Sequence, residues 1–338
     1  METLHVYYHM DLDGIISAYL AKKLFEKMNY KVVFEKPLDY SPESRKSWEK
    51  YKFKTPFIIV DFIYHKKAFA WFDHHASNEA KVSDNTKYHY FNKECNSCSS
   101  VIQKFAKQQK ICLGRTFRLI KQTNIVDSAK YVMNKIKPME TIIPKKDFMK
   151  VAKALDVVSD EMSVSELSRK ILKDLSSNTL KEFFDSLFDA RLERIAKQDY
   201  IKKILEKNKT ETEKKLKEFP NYSKKDGLIV IYDSTKIEFD RFMPALFYPE
   251  TIVWVGLLKV NNKLSLRVGR NPWFSEDEYI KYFGTMDKPK IHIGNLLKKV
   301  SKDAGGHQYV GGVQFSTEKE ARKGMEKIVK LLKEKLES

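Results

Sequence analysis

Short β-rich runs alternate with helical repeats through the first third of this chain, and this alternation constrains the fold more than any other feature. Leu4–His9 is typical of a strand, and apolar residues recur at helical spacing between Ile15 and Met28. Further strand-like runs cover Lys31–Phe34, Pro56–Asp61 and Ala68–Phe72. Strands separated by helices predict an α/β fold with a parallel sheet and helices on both of its faces.

The remainder of the chain predicts a helical region followed by a second, mixed-sheet α/β domain. The pattern is mostly helical from Ser97 to Lys217, and Leu180–Phe219 contains no Gly or Pro, so we expect a long connecting helix there. Strand character then returns in three runs, Gly227–Tyr232, Thr251–Val260 and Lys263–Val268. Asn261-Asn262 predicts a hairpin turn between the last two, and Lys319–Leu336 predicts a final amphipathic helix.

Length supports the same division, because 338 residues are too many for one ordinary core. We expect an N-terminal domain over residues 1–185, a connecting helix or linker over 186–222, and a smaller domain over 223–338. No apolar run approaches the roughly 20 residues of a membrane helix, so no membrane partner is expected. With only three cysteines and no apolar leader, the expected location is the cytoplasm.

The chain is strongly basic, with 63 Lys and Arg against 45 Asp and Glu and a formal net charge of +18. The positive electrostatic field of so basic a protein concentrates phosphate-bearing ligands near its surface. A Lys-rich or heat-adapted surface would produce the same composition. The charge is uneven, since the stretch from Lys104 to Lys150 holds twelve basic residues and three acids.

Polar residues of the same kinds follow the predicted strands at four places. These are His9-Met10-Asp11-Leu12-Asp13-Gly14, Asp61, Asp73-His74-His75, and Asp127 after Asn124-Ile125-Val126. The carboxyl ends of parallel strands lie side by side, so these side chains are expected to converge at one edge of the sheet. Clustered carboxylates repel one another, and divalent cations remove that cost. Oxygen ligands with imidazoles suit Mn²⁺ better than Ca²⁺, and the absence of cysteine ligands argues against structural zinc.

In this order the motifs resemble motifs one to three of the DHH phosphoesterases, the superfamily of RecJ exonucleases, oligonucleotide-degrading nano-RNases and cyclic-dinucleotide phosphodiesterases. Cys95-Asn96-Ser97-Cys98-Ser99-Ser100 resembles the small-residue helix start after motif three, and Asp127 occupies the place of the fourth acidic motif. Ala304-Gly305-Gly306-His307 resembles the Gly-Gly-His signature of the usual partner domain, and Leu266-Arg267 resembles the strand before it.

Two departures from the family pattern stand out. The fourth motif usually continues Asp-Thr-Gly, whereas this chain has Asp127-Ser128-Ala129. The partner signature usually has more glycines before its histidine and Ala-Ala-Gly after it, whereas Val310-Gly311-Gly312 stands here. The first departure bears on the assignment of Asp127 as a metal ligand. The second bears on substrate preference, because it lies in the loop where the family contacts the nucleotide.

The resemblance implies a site for two Mn²⁺ ions, with Mg²⁺ as the alternative. His9 and Asp11 would hold one ion, Asp13, His74 and Asp127 the other, and Asp61 would bridge the two. His75 would face the substrate phosphate, with Asp73 orienting an imidazole. In the partner domain, the implied substrate-binding residues are Arg267, Arg270, Gly305, Gly306 and His307.

The resemblance leaves three functions open. The first is an exonuclease that releases 5′-mononucleotides from short single-stranded RNA or DNA, favoured by the positive charge. The second is a phosphodiesterase of cyclic dinucleotides or bisphosphate nucleotides. The third is a non-catalytic replication or repair scaffold of the Cdc45 kind, which the intact motif residues disfavour. A long-strand nuclease is disfavoured by length, and whether the chain forms a homodimer is left open.

Overall fold

The computed structural model describes residues 1–39, 48–75, 78, 87–158, 162–177, 190–260, 263–274, 291–306 and 308–337. The chain divides into two compact units. The first contains Met1–Lys130 and Pro144–Asn208, and the second contains Tyr131–Ile143 and Lys209–Ser338. The chain therefore enters the second unit just after Asp127, returns, and enters it again within a long helix.

The first unit is built on a five-stranded sheet in which every pairing is parallel. Its strands, in the order β2-β1-β3-β4-β5, are β1 (Thr3–Tyr8), β2 (Lys31–Phe34), β3 (Phe57–Val60), β4 (Ala70–Asp73) and β5 (His89–Phe91). All residues of β3 and β4 are buried, as expected for central parallel strands covered on both faces. The parallel sheet predicted from the sequence is confirmed.

Helix α1 (Leu12–Lys27) connects the first two strands and is the central helix of this unit. Its burial extends beyond one stripe, because it packs against the sheet and against neighbouring helices. Asp11 caps its N-terminus by accepting a hydrogen bond from the N–H of Gly14 at 2.9 Å. The tight turn from β1 into this helix brings three motif residues, His9, Asp11 and Asp13, to the carboxyl edge of the sheet.

Among the described residues, the other helices of the first unit are α2 (Cys98–Gln108), α3 (Phe117–Asp127), α5 (Asp147–Asp156), α6 (Val164–Ser176) and α7 (Arg191–Ala196). Helix α4 (Pro138–Ile142) belongs to the second unit. The predicted connecting helix over Leu180–Phe219 is shorter than expected, since α8 covers only Asp199–Glu218 and is separated from α7 at Lys197-Gln198. Residues 178–189 lie outside the described part of the chain. No helix among the described residues is long and apolar enough to cross a membrane.

The second unit has a six-stranded mixed sheet in the order β10-β11-β9-β8-β7-β6. Its strands are β6 (Ser223–Asp226), β7 (Ile229–Ser234), β8 (Val253–Val260), β9 (Lys263–Arg270), β10 (Gly305–Gly306) and β11 (Val310–Phe315). Among the described strands of this sheet, only β7 and β8 pair in parallel. The predicted β8–β9 hairpin is confirmed by its antiparallel register, although Asn261 and Asn262 themselves lie outside the described residues.

The two faces of this sheet are covered differently. Alternate residues such as Val255, Leu266 and Val268 pack against helices α10 (Ile293–Val300) and α11 (Glu318–Glu337). On the other face, Val230, Tyr232 and Trp254 pack with Phe219 and with helix α9 (Met243–Phe247). Successive residues of a strand point to opposite faces, and in β7 and β8 the residues that point to each face are therefore largely apolar.

Candidate metal centre and nucleotide-binding surface

The loop from β1 to α1 places its polar residues by a very close backbone approach. A Cβ atom at Gly14 would lie 2.1 Å from the carbonyl oxygen of His9, so only glycine fits there. His9 Nδ1 lies 3.1 Å from a carboxylate oxygen of Asp11 and 3.6 Å from one of Asp61. The sharp turn thus directs His9 and Asp11 toward the end of the neighbouring strand β3.

Asp61 directly follows β3 and adopts a left-handed backbone conformation with φ +56°. Asp and Asn tolerate this region better than other residues with a side chain. Its N–H donates to the carbonyl of Phe72 at 3.0 Å, and the residue is only 1% exposed. This conformation ends the strand and places a carboxylate among the other motif residues.

Asp13, in the first turn of α1, is fixed by the N-terminus of helix α2. One carboxylate oxygen accepts from the N–H and hydroxyl of Ser99 and from the Ser17 hydroxyl, and the other accepts from the N–H of Cys98 at 2.6 Å. A helix N-terminus stabilises a carboxylate in this position. The small residues of the Cys95–Ser100 segment therefore hold Asp13 in place, which the sequence motif did not indicate.

Asp73 at the end of β4 is buried and orients His75. One of its oxygens accepts from His75 Nδ1 at 2.7 Å and from the N–H of His74 at 2.8 Å. Its other oxygen accepts from the amide of Asn78 at 2.6 Å. This geometry agrees with the orienting role expected for Asp73.

His74 lies at the centre of the carboxylates. Its ring donates a hydrogen bond to the carbonyl of Cys95, which fixes the imidazole so that Nε2 faces the carboxylates. Nε2 lies 3.2 Å from Asp127, 3.8 Å from Asp13 and 3.8 Å from Asp61. This buried nitrogen makes no hydrogen bond within the described chain.

The secondary structure before Asp127 differs from the strand predicted from the sequence. The segment Asn124-Ile125-Val126 is not a strand, because it forms the last turn of helix α3, and Asp127 is the final residue of that helix. The helical hydrogen bonds continue to Ser128, whose N–H donates to Asn124. The side-chain oxygen of Asn124 also accepts from the hydroxyl of Ser100. Asp127 therefore reaches the site from a helix end rather than from the sheet edge.

Three groups of residues in this region could each hold a metal ion. Within each group, the potential ligand atoms all lie within 4.8 Å of one another. They are His9, Asp11 and Asp61; Asp13, His74 and Asp127; and Asp61, Asp73, His74 and His75. The structure thus brings together all eight residues that the sequence assigned to the metal centre and its catalytic histidine. We name this set of residues the carboxylate–histidine cluster.

The electrostatics of the carboxylate–histidine cluster show an excess of negative charge. Burial, together with the neighbouring carboxylate of Asp13, raises the pKa of Asp61 and that of Asp127 well above the usual value. Although burial opposes it, the imidazole of His9 holds the pKa of Asp11 below its ordinary range. Burial and the adjacent His75 lower the pKa of His74. A divalent cation would relieve this repulsion, and the oxygen and nitrogen donors fit Mn²⁺ or Mg²⁺.

His75 differs from the other members of the cluster. Burial favours its neutral form, but the carboxylate of Asp73 raises its pKa to about 9. Its side chain is 30% exposed. A partly exposed, protonated imidazole within the cluster is suited to face an anionic phosphate.

In the second unit, the expected substrate-binding residues that the structure describes lie on strands β9 and β10, which are separated in the sheet by β11. Arg267 is exposed and Arg270 half-buried on β9, and Gly305 and Gly306 form β10. Arg270 lies 5.2 Å from the ring centroid of Tyr309, which is 55% exposed. His307 lies outside the described residues.

Trp273 and Tyr309 are two aromatic residues of the second unit with different surroundings, and Trp273 has a packing role. Its ring stacks on Tyr131 at 5.3 Å between centroids, and its Nε1 donates to the carbonyl of Ile136 at 2.7 Å. These contacts attach the segment Tyr131–Ile143 to the second unit. Only Tyr309 of this pair offers an exposed ring.

Comparison with known proteins identifies the fold. No protein-family model matches the chain, and no curated protein is significantly similar to it in sequence. Among solved structures, PggH, a pGpG-specific phosphodiesterase from Vibrio cholerae, matches with a TM-score of 0.64 and 16% identity over 98% of this chain and 99% of that one. A DHH domain from a protein described as a member of a family of ribosomal proteins matches with a TM-score of 0.58 and 14% identity, covering 98% and 86% of the two chains.

RecJ from Thermus thermophilus in complex with Mn²⁺ matches with a TM-score of 0.53 and 10% identity, covering 98% of this chain and 52% of that one. The chain therefore has the fold of the DHH phosphoesterases, a parallel-sheet unit combined with a smaller mixed-sheet unit. The resemblance found in the sequence motifs is confirmed at the level of this fold.

Proposed function

We propose that the protein is a divalent-metal-dependent phosphodiesterase that hydrolyses short single-stranded oligonucleotides to 5′-mononucleotides. The observation that carries this proposal is the convergence of the carboxylate–histidine cluster at the edge of β1, β3 and β4. Buried carboxylates that raise one another's pKa persist in a fold when a cation balances them. The phosphodiesterase and nuclease neighbours of the same fold support the assignment.

We infer that the two groups that share no residue would provide two ion sites. His9 and Asp11 would hold one ion, Asp13, His74 and Asp127 the other, and Asp61 would bridge them. Two ions held by these residues would supply an activated water nucleophile and would stabilise charge on phosphorus during in-line displacement. We propose Mn²⁺ as the native ion, consistent with the mixture of carboxylates and imidazoles.

The residues around the ions would orient the substrate. His75, protonated and held by Asp73, would donate a hydrogen bond to a phosphate oxygen. Asp13 would be kept in its ligand position by the N–H groups of Cys98 and Ser99. The backbone turn at Gly14 would maintain the spacing between His9 and Asp61.

Short linear substrates are supported by two observations. The net charge of +18 favours a polyanion, and the neighbour PggH is specific for pGpG, which is itself a linear dinucleotide. A cyclic dinucleotide or a bisphosphate nucleotide is the second candidate, because the same cluster could hydrolyse its phosphodiester or phosphate ester. The Cdc45-like scaffold is disfavoured by the complete cluster.

Further assignments belong to this proposal. The catalytic region would be residues 1–185, the connecting helix or linker 186–222, and the substrate-binding region 223–338 with Arg267, Arg270, Gly305, Gly306 and His307. The chain would act in the cytoplasm. Its substrate would be RNA or DNA. A homodimer is the oligomeric state to be tested.

A substrate panel tests the proposal. Linear oligonucleotides of two to about twenty nucleotides and cyclic dinucleotides would be incubated with the full chain and Mn²⁺, Mg²⁺ or EDTA. We expect mononucleotide release from the shortest linear substrates with Mn²⁺ and none with EDTA. A preference for cyclic over linear dinucleotides would select the second candidate. Absence of hydrolysis from every substrate and metal would refute the enzymatic assignment.

A further inference from the structure

One of the metal-binding groups is supported by a single short segment, Cys95–Ser100. We name the ion site of this group the second-ion site, and its members are Asp13, His74 and Asp127. The carbonyl of the first residue of the segment accepts a hydrogen bond from the ring of His74. The N–H groups of Cys98 and Ser99 donate to the carboxylate of Asp13 at 2.6 and 3.0 Å. Contacts of this kind orient metal ligands, so the segment orients an imidazole and a carboxylate for the same ion.

Asn124 connects the third member of the second-ion site to the same segment. Its side-chain oxygen accepts hydrogen bonds from the hydroxyls of Ser97 and Ser100, the latter at 2.7 Å. Asn124 is half-buried and lies three residues before Asp127 in helix α3. Residues at this spacing are neighbours on one face of a helix. The two serines therefore hold the helical turn that carries Asp127.

A further contact lies on the other side of Asp127. The ammonium group of Lys130 donates to the side-chain oxygen of Asn96 at 2.7 Å. The N–H of Lys130 donates to the carbonyl of Ile125 at 3.1 Å, which closes the C-terminus of α3. The last turn of a helix has unpaired carbonyls and frays easily. Asp127, the final residue of its helix, is thus held to the Cys95–Ser100 segment by contacts before and after it.

The other ion site has different supports. Asp11 accepts from the N–H of Gly14 at 2.9 Å, and the close backbone approach of Gly14 also sets the position of His9. Asp61 is placed by its left-handed backbone at the end of β3. These supports lie in the turn from β1 to α1 and at the end of β3. A change at Asn124 should therefore act on the second-ion site and leave the other site in place.

We propose that Asn124 is a positioning residue of the metal centre, which holds Asp127 in the second-ion site through its hydrogen bonds to Ser97 and Ser100. This inference rests on the proposed function, because it concerns the same pair of ions. It deepens that function by making one ion of the pair depend on a side chain outside the carboxylate–histidine cluster. The two ions should therefore respond differently to substitution of Asn124.

Titration of Mn²⁺ into the metal-free full chain, followed by calorimetry, tests this role without substrate. The unmodified chain is expected to bind two ions. In Asn124→Ala one of them should bind about tenfold more weakly or worse, the usual loss when a group that orients a metal ligand is removed. Equal affinities for both ions in the two proteins would overturn the proposal. Binding of only one ion by the unmodified chain would also overturn it.

Gln122→Ala is the matched control on helix α3. The Gln122 amide donates to Glu193 at 2.9 Å, so this variant also loses a side-chain hydrogen bond and gains the same strong helix former. It should bind both ions as tightly as the unmodified chain. If Gln122→Ala weakened one ion as much as Asn124→Ala does, the effect would come from the stability of α3, and the positioning role would be rejected.

A double variant shows whether Asn124 acts through Asp127. Asp127→Asn removes the ligand itself and should leave one tightly bound Mn²⁺ ion. Adding Asn124→Ala to Asp127→Asn should leave the affinity for that ion unchanged, because the two substitutions affect the same interaction. A further loss of affinity would mean that Asn124 supports the other ion site as well, which contradicts its assignment to the second-ion site.

Hydrolysis of a linear dinucleotide separates this proposal from the proposed function. The Mn²⁺ concentration that gives the half-maximal rate should be about tenfold higher or more for Asn124→Ala, with the KM for the dinucleotide unchanged. An unchanged Mn²⁺ requirement would contradict the positioning role. If neither protein hydrolyses the dinucleotide while the calorimetric difference holds, the positioning role stands and the proposed phosphodiesterase activity fails.

Discussion

The carboxylate of Asp73 and the Nδ1 atom of His75 form a hydrogen bond of 2.7 Å at the end of strand β4. The same carboxylate oxygen also accepts from the N–H of His74. One buried aspartate thus sets both the backbone turn and the orientation of the imidazole that would face the phosphate. This arrangement explains why the Asp-His-His sequence occurs as an unbroken triplet.

Asp73→Asn tests this orienting role. The amide keeps the volume of the side chain but cannot accept as strongly from the His75 ring. We expect kcat to fall about 10- to 100-fold, the usual effect of losing a group that orients a metal-site histidine. Steady-state kinetics with a linear dinucleotide would measure it. Asp303→Asn, which changes the same charge at an exposed position of the second unit, is the control and should retain full activity. Unchanged kcat in Asp73→Asn would remove Asp73 from the catalytic arrangement.

Asp61→Asn tests the metal centre through stability. Asn tolerates the left-handed conformation that Asp61 adopts at φ +56°, so the fold should be kept. Because burial and the neighbouring acids raise the pKa of Asp61, its charge destabilises the metal-free fold, and the variant should melt at a higher temperature in EDTA. Mn²⁺ at a hundredfold excess over its dissociation constant should stabilise the unmodified chain by about 2.7 kcal/mol.

The change in melting temperature on addition of Mn²⁺ should differ between Asp61→Asn and the unmodified chain. Asp61→Asn should show little of the Mn²⁺-dependent rise in melting temperature and should lose hydrolysis. Differential scanning calorimetry with and without Mn²⁺ would measure both effects on stability. An equal Mn²⁺-dependent rise in the two proteins would exclude Asp61 as a bridging ligand.

The sequence predicted the strand ends well because short buried runs such as Phe57–Val60 and Ala70–Asp73 are almost continuously apolar and end abruptly in polar residues. Asp127 was placed in the site but assigned to the wrong element. Asn124-Ile125-Val126 is a short apolar run that fits a strand or a buried helix turn equally well, and tertiary packing decides between them.

The contacts of two other residues of the site could not be predicted from the sequence around them. Ser99 and Asn78 bind the carboxylates of Asp13 and Asp73 only because distant segments are brought together. Single serines and asparagines are common in loops and caps, so the sequence did not show that these two bind the carboxylates, although Ser99 lies in the Cys95–Ser100 segment noted for its resemblance. Likewise, the pairing of Gly256 with Arg267 across a hairpin depends on strand register, which cannot be derived from spacing alone.

Ala129 occupies a position where the family motif usually has glycine, and it adopts φ +50°. A left-handed conformation costs a residue with a Cβ atom roughly 1–2 kcal/mol. Ala129→Gly removes this cost, and the greater freedom of glycine in the unfolded chain offsets about 0.4–1 kcal/mol of the gain. We expect a net stabilisation on the order of 0.5–1 kcal/mol, measured by urea denaturation.

Ala129→Val is the matched comparison at this position. A β-branched side chain is strongly disfavoured at positive φ, so this variant should be less stable than the unmodified chain by about 1 kcal/mol or more. If valine were tolerated as well as glycine, the left-handed conformation at Ala129 would be contradicted.

His65 predicts a pH dependence of stability that does not involve the metal centre. It is buried against Trp48, Phe53 and Phe57, and its Nδ1 accepts from the N–H of Lys67 at 3.3 Å. Burial lowers the pKa of His65 below the usual value. Below about pH 6.5 the unfolded chain therefore binds a proton that the folded chain excludes, so stability decreases as the pH falls. Above that pH both states are neutral at this residue and its contribution does not change.

His65→Phe isolates this contribution, because phenylalanine keeps an aromatic ring in the cluster and cannot titrate. Urea denaturation in EDTA at pH 7.5 and 5.5 would compare the two proteins, and the pH dependence of the carboxylates is common to both. Between these pH values the unmodified chain should lose more stability than the variant, by no more than about 1.4 kcal/mol per pH unit for a single proton. A difference between the two chains that stays constant across this range would mean that His65 accepts a proton in the folded state as easily as in the unfolded state.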